Sequence, residues 1–417
     1  MRFTKKIAND KKTILSNFFS LTVLQAANYI LPLLILPFLV RVLGVEKFGL
    51  VMFAQSMAAF LMIAVDFGFE ISGTREISIS RNDKEKVSQI FSSIISIKFI
   101  LIIVWFLVLF LVVELTPRFK EDAIVYYLSF GMVIGHAIFP VWFFQGIEKM
   151  KFVTLINILA KIIFTLLIFI VIRSESDYYL VPAFNSIGYI VAGVLGLLIS
   201  LKHTNISKPS FGMMKKLVKD SFSLFLGKFA TNLFTTCNVL ILGLFTGNSV
   251  VGVYSSMEKL ILAIKNVYSP FYISLFPWLS NQLPEKRVLV IKKITPFILV
   301  AGVMVTSVII LFGEKILMFI YNDNLINSYV FIFKILSLIA ILAGLNMLFT
   351  SLYFTAVKMY KTRMYIFIIA GIFHVFLSVI LVKLYGIYGM AISVVFTEFF
   401  LLILGFYYFK KHLISQV

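Results

Sequence analysis

The sequence predicts an all-α, polytopic membrane protein with twelve transmembrane helices in two six-helix lobes related by a parallel internal repeat. Three observations carry this expectation. The 417 residues are 60% hydrophobic and 14% charged, with a mean hydropathy of +1.00, whereas soluble domains run about 45–50% apolar and about 25% charged. Apolar runs of roughly 20 residues, enough to cross a bilayer core, follow one another along the whole chain. Lys and Arg concentrate at alternate ends of those runs, as the positive-inside rule requires of helices that cross in turn.

The runs fall at 14–40, 48–68, 89–113, 123–145, 153–172, 179–201, 219–245, 250–278, 294–312, 326–350, 364–382 and 386–409. The basic start, MRFTKKIANDKKT, leads into an apolar run too long for a signal-peptide core and without an obvious small-residue cleavage site, so no cleavable leader is expected. Of the 38 Lys and Arg, 25 lie on the side of the amino terminus, counting Lys219 at the edge of its span, 7 on the opposite side and 6 deeper inside the spans. Both termini are therefore expected in the cytoplasm. Gly44 and Gly49, between spans one and two, map onto Gly247 and Gly252, between spans seven and eight, at an offset of 203 residues; Ala183 and Ser186 map onto Gly386 and Gly389 at the same offset. The expected organisation is a lobe over 1–201, a basic cytoplasmic linker over 202–218 and a second lobe over 219–417.

Pro32 and Pro37 interrupt span one, Pro140 span four, and Pro270 and Pro277 span eight. Each frees backbone carbonyls and bends its helix. Trp142, Tyr126, Tyr127, Tyr178, Tyr179 and Tyr407 lie near span ends, where amphipathic rings anchor at the interface. The stretch from Asp66 to Ser78 reads as a short amphipathic element at the cytoplasmic surface.

Whole classes of function are excluded. The net charge of +19 is explained by topology, so it does not point to nucleic acid. Phosphate-loop, dinucleotide-binding and HExxH motifs are absent. His136, His203, His374 and His412 are scattered without metal-ligand spacing, and the single Cys237 permits no disulfide framework. No cofactor and no catalytic residue is expected.

The chemistry-bearing residues are instead Lys98, Lys161, Lys228, Lys259, Lys265 and Lys334, all inside apolar spans. A lysine at the centre of a bilayer helix costs roughly 2.5–3.5 kcal/mol on insertion scales. Any one of them can snorkel its long stem back to the interface, but six together point to a water-filled cationic cavity that receives an anion. The acids placed to offset them are Asp66, Glu258 and Glu398, which serve either ion coupling or internal salt bridges. Glu258 and Lys265, seven residues apart, fall nearly on one helix face. A diphosphate bearing sugars suits several lysines in series through charge-assisted contacts, since the flexible lysine stem can follow a moving phosphate.

Several motifs carry a family likeness. Asn28-Tyr29-Ile30-Leu31-Pro32, Arg41-Val42-Leu43-Gly44 and Phe48-Gly49 resemble the first hairpin of bacterial oligosaccharide flippases, the O-antigen repeat-unit (Wzx-type) translocases of the polysaccharide transporter family. Asp66-Phe67-Gly68, Thr74-Arg75-Glu76-Ile77-Ser78, Trp142-Phe143-Phe144-Gln145-Gly146, Gly252-Val253-Tyr254 and Gly386-Ile387-Tyr388-Gly389 extend the likeness over nearly the whole chain. The resemblance implies a two-lobed bundle of the multidrug/oligosaccharidyl-lipid/polysaccharide exporter superfamily. The likeness to the flippase family implies movement of an undecaprenyl-diphosphate-linked oligosaccharide across the inner membrane by alternating access. It further implies membrane lipid, a coupling ion (proton or sodium), a polysaccharide polymerase and a chain-length regulator as partners. The competing expectations are an organic-cation antiporter of the same superfamily and a membrane-embedded polysaccharide polymerase. The lysine excess disfavours the first, and the short external loops disfavour the second.

Overall fold

The computed structural model describes the chain from Arg2 to Ile414, with side chains from Leu33 onward. Pro32 and the Asn28–Pro32 motif precede the described side chains. Every regular element among the described residues is helical. Among the described residues, nine helical stretches are long and apolar enough to cross a bilayer, or ten with the bent pair Phe211–Thr235 and Cys237–Phe245, which meet at 57°. The chain is thus a multi-pass membrane protein.

Two of the long helices are each divided by a glycine. A straight helix over Tyr360–Ile414 would be roughly 80 Å long at 1.5 Å per residue, against a hydrocarbon core of about 30 Å. Gly386 breaks it at φ 55°, ψ −128°. Gly44 breaks the first helix, Arg2–Asp66, at φ 69°, ψ 165°. Both angles lie where a Cβ would be strained, which is why glycine stands there. A count of helices therefore understates the number of straight segments.

Compactness divides the chain into two units. One comprises Met1–Ile35 and Ala54–Phe229; the other comprises Leu36–Phe53 and Ala230–Val417. The first helix supplies residues to both.

In the first unit, Phe69, Phe91, Trp142, Phe143, Phe144 and Met150 centre the core. The helices Ala123–Ile138 and Leu180–Ser200 pack closely because Gly135 and Gly193 meet: a Cβ on Gly193 would lie 2.5 Å from the Gly135 carbonyl oxygen. Small residues let membrane helices approach in this way where no hydrophobic force separates lipid from side chain. Pro140 separates Ala123–Ile138 from Val141–Gly146, at the position the sequence indicates. The amphipathic stretch after span two is the helix Phe69–Ile79, with Phe69, Ser72, Gly73 and Ile77 buried. Trp142 and Tyr126 correct the aromatic-anchor expectation, being 1% and 3% exposed. They sit near span ends, yet neighbouring helices close over them and make them core.

In the second unit, Phe349, Leu352, Tyr353, Phe354 and Leu401 centre the core. The helix beginning at Asn248 breaks after Asn266, three residues before Pro270, and Pro277 lies inside the next helix, Tyr268–Ser280. Pro37, by contrast, causes no break: the only non-helical residue inside Arg2–Asp66 is Gly44. A π-helical turn spans Leu348–Tyr353.

The glycine repeat is visible as geometry in this unit. A Cβ on Gly49 would lie 1.9 Å from the Asn248 carbonyl oxygen, and one on Gly252 would lie 2.1 Å from the Val45 carbonyl oxygen. Adding 203 to 45 and 49 gives 248 and 252, so the two contacts exchange under the sequence repeat. Arg41 closes the same region, donating to the carbonyls of Phe319, Ile320 and Tyr321 at 3.3, 2.8 and 3.2 Å. A cation there meets the negative end of the helix Pro284–Tyr321.

Candidate functional site

The first unit assembles four of its charges into one cluster. The turn Phe67–Gly68 has left-handed φ values of 48° and 79° and ends the first helix at Asp66. It starts the next helix so that Glu70 follows within a turn. Helix Phe211–Thr235 approaches this turn closely, since a Cβ on Gly68 would lie 2.9 Å from the Ser221 carbonyl oxygen, and Ser72 Oγ and Ser221 Oγ are 2.7 Å apart. That approach delivers Lys228. Its Nζ donates to Asp66 Oδ2 at 3.0 Å and to Glu70 Oε2 at 2.6 Å. Lys98, from the helix Lys84–Leu115, donates to the other Asp66 oxygen at 3.0 Å. His136 stands within electrostatic reach of Asp66.

Two lysines and two carboxylates make a neutral group with unequal access. Lys98 and Asp66 side chains are 3% and 4% exposed, Lys228 and Glu70 30% and 44%. Burying one charge alone costs several kcal/mol, which a well-placed partner offsets. This pairing explains how two lysines persist in apolar helices. Lys161, from the helix Met150–Val171, is half-buried in the same unit.

The second unit holds a different arrangement. Lys265 donates to Glu398 Oε1 at 2.6 Å, with the side chains 20% and 7% exposed. The amide of Asn346 donates both to the Glu398 carboxylate and, at 2.8 Å, to its backbone carbonyl. Glu258 accepts from Asn238 Nδ2 at 2.8 Å. The single-face relation of Glu258 and Lys265 thus does not produce a salt bridge, because Glu398 on a different helix takes the lysine at hydrogen-bond distance. Asn238, Glu258, Lys265 and Glu398 line one small cavity with Phe234 and Tyr254. The buried Oδ1 of Asn238 has no partner among the described residues. Lys259 and Lys334 are half-buried and make no ion pair within 4 Å among the described residues.

The sequence therefore locates all six lysines and three acids, and the structure joins Lys98 and Lys228 to Asp66, and Lys265 to Glu398. Glu70, Asn238 and Asn346 are the partners the sequence reading missed. Glu70 carries a legible signal, standing four residues from Asp66 and so on a shared face if the helix continues. The two asparagines carry none. No group of three His, Cys, Asp or Glu side chains is placed to hold a metal ion among the described residues.

Long apolar helices with lysines and carboxylates paired among them define a polytopic membrane protein. The chain belongs to the family described as polysaccharide biosynthesis protein, which matches residues 14–282. It is 30% identical over 395 residues, 93% of this chain and 95% of the relative, to an Escherichia coli (strain K12) protein named "Putative O-antigen transporter". A Shigella dysenteriae protein of the same name is 26% identical over 386 residues, covering 92% and 96%. Among solved structures, the fold is similar to an inward-facing multidrug resistance MATE family transporter of the MOP superfamily. That match has a TM-score of 0.70 at 15% identity and covers 92% of this chain and 95% of the other. The lipid II flippase MurJ, in an inward closed conformation, matches with a TM-score of 0.64 at 16% identity, covering 95% and 87%. The relatives' names are those of transporters and not of enzymes.

Proposed function

We propose that this chain is a flippase carrying an undecaprenyl-diphosphate-linked oligosaccharide, an O-antigen or related surface-polysaccharide repeat unit, across the bacterial inner membrane. The observation that carries this reading is the partly exposed Lys228, held by the sealed Asp66 and by the more exposed, exchangeable Glu70. A diphosphate is a stronger version of the same partner and can take the lysine in turn. Family membership and the names of the two relatives support the substrate class.

In this mechanism the two lobes, 1–201 and 219–417 joined by 202–218, alternate access to the two leaflets, with both termini cytoplasmic. Lys228 and Lys161 receive the diphosphate and acidic sugars first, with Lys98 behind them. Lys259, Lys265 and Lys334 hold the anion through the midpoint while the lipid tail stays in the bilayer. Asp66 and Glu398 hold lysines between cycles, and a proton or sodium ion that neutralises one of them, or Glu258, couples transport to a gradient. The polymerase and chain-length regulator then act on the delivered repeat unit.

The test is joint replacement of Lys98, Lys161 and Lys228 by glutamine in cells that depend on this chain. The expected result is protein in the membrane, loss of surface polysaccharide and lipid-linked repeat units accumulating on the cytoplasmic face. Normal surface polysaccharide in that strain overturns the reading. The likeness to multidrug transporters in fold gives the organic-cation antiporter a specific check, resistance to cationic dyes on overexpression. The expected outcome is no change in resistance.

A further inference from the structure

We infer that Glu70 is a selectivity gate for the anion, an internal carboxylate that holds Lys228 until a polyvalent anion of the diphosphate class displaces it. The inference rests on the reading of Lys228 as a substrate-binding lysine and assigns a role to a residue outside the set of lysines and acids first singled out.

The geometry separates two kinds of carboxylate around Lys228. Asp66 is sealed, 4% exposed, and each of its oxygens already accepts from a lysine, Lys98 on one side and Lys228 on the other. An incoming anion cannot replace it without leaving a buried lysine short of its partner, a strongly unfavourable exchange. Glu70 is 44% exposed and contacts Lys228 through one oxygen at 2.6 Å. It can swing into water, where its charge is solvated, and leave the lysine to a newcomer. The exchange is therefore directional: Lys228 keeps Asp66 and trades Glu70.

Charge decides which newcomer succeeds. Asp66, Glu70, Lys98 and Lys228 sum to zero, so the resting cluster has no net attraction for an anion. A monovalent anion offers Lys228 no more Coulomb energy than Glu70 already supplies from a tethered position. A diphosphate carries two or three negative charges and several acceptor oxygens, so its attraction at the same distance is correspondingly larger. Glu70 thus rejects chloride and simple carboxylates while admitting a diphosphate. Its return to Lys228 helps the anion leave, so the same residue serves entry selectivity and release.

The test uses the purified full-length protein in lipid nanodiscs, with inorganic pyrophosphate and acetate as probes and the thermal midpoint as a function of probe concentration as readout. Wild type is expected to respond to pyrophosphate and not to acetate. Glu70→Gln leaves the cluster at net positive charge; it should respond to pyrophosphate at a concentration about tenfold or more lower, a small part of the Coulomb energy of one charge at about 4 Å, and should gain a response to acetate. Adding Lys228→Gln to Glu70→Gln should remove both gains.

A Glu70→Gln protein whose midpoint falls without any change in either anion response shows a merely structural salt bridge and overturns the gate. If Glu70→Gln does not accumulate, Glu70→Asp, whose shorter stem weakens the contact but keeps the charge, must show intermediate pyrophosphate sensitivity, and a wild-type response there overturns the gate equally. Failure of wild type and both Glu70 variants to respond to pyrophosphate removes the substrate-binding reading of Lys228, and the gate with it. A wild-type response with unaltered Glu70 variants removes the gate alone.

Discussion

Gly49 lies against Asn248 so closely that a Cβ would come within 1.9 Å of the Asn248 carbonyl oxygen, and the repeat-related pair Gly252 and Val45 reproduces the contact at 2.1 Å. Backbone oxygen cannot move aside as a flexible side chain can. Leucine at either glycine should therefore destabilise the protein by about 2 kcal/mol or more, the upper part of the overpacking range. Gly247→Ala is the control, since a Cβ there meets nothing within 4 Å, and its midpoint should stay within about 0.5 kcal/mol of wild type. Thermal unfolding of the three purified variants checks the contrast.

Lys98→Gln leaves the sealed Asp66 carboxylate with Lys228 as its one remaining lysine. Breaking a buried pair costs about 3–5 kcal/mol when one charge is left behind, and Lys228 reduces that toward the lower figure. The double variant Lys98→Gln with Asp66→Asn should be more stable than Lys98→Gln alone. A double-mutant cycle on the thermal midpoint measures the coupling, and additive effects would refute the pairing.

Arg41→Ala removes three hydrogen bonds to the last carbonyls of the helix Pro284–Tyr321. Part of that surface is open to water, so a loss of about 1–2 kcal/mol is expected and not three full charged bonds. Arg41→Lys should recover only part of it, because a single ammonium cannot reproduce the planar fork. Comparison of the two midpoints checks the geometry.

Glu148 and Arg81 make an exposed pair outside the membrane helices, 2.8 Å apart. The hydrogen bond from Arg81 holds the Glu148 carboxyl below its usual range. A depressed carboxylate stabilises the folded state above its unfolded pKa and loses that contribution as pH falls through the folded value. The stability gap between wild type and Glu148→Gln should therefore be small, present near neutrality, and close as pH drops below about 4.5. A gap that widens on acidification would contradict the pairing.

Much of the fold was legible because burial in lipid leaves a periodic, compositional record. The apolar runs at 89–113, 153–172 and 179–201 lie within or beside helices Lys84–Leu115, Met150–Val171 and Leu180–Ser200. Pro140 stands where the chain breaks. Pro37 does not, and Trp142 is core instead of anchor. Whether a proline bends a helix, or a ring faces lipid, depends on which neighbour packs against it, and neighbours distant in sequence leave no local trace.

The lysines divide along the same line. Composition, hydropathy and charge asymmetry by themselves determined a multi-pass helical protein, and singled out six lysines within its apolar runs and the acids Asp66, Glu258 and Glu398. Only the tertiary structure decided the pairing. It bent the chain at Phe67–Gly68 to bring Glu70 beside Asp66, and it brought helix Phe211–Thr235 onto that turn to deliver Lys228. It also gave Lys265 to Glu398 and Glu258 to Asn238. The cost of a charge in lipid is a property of the residue and its segment, so sequence records it. The relief of that cost is a property of distance, at a few ångströms, between helices that only folding brings together.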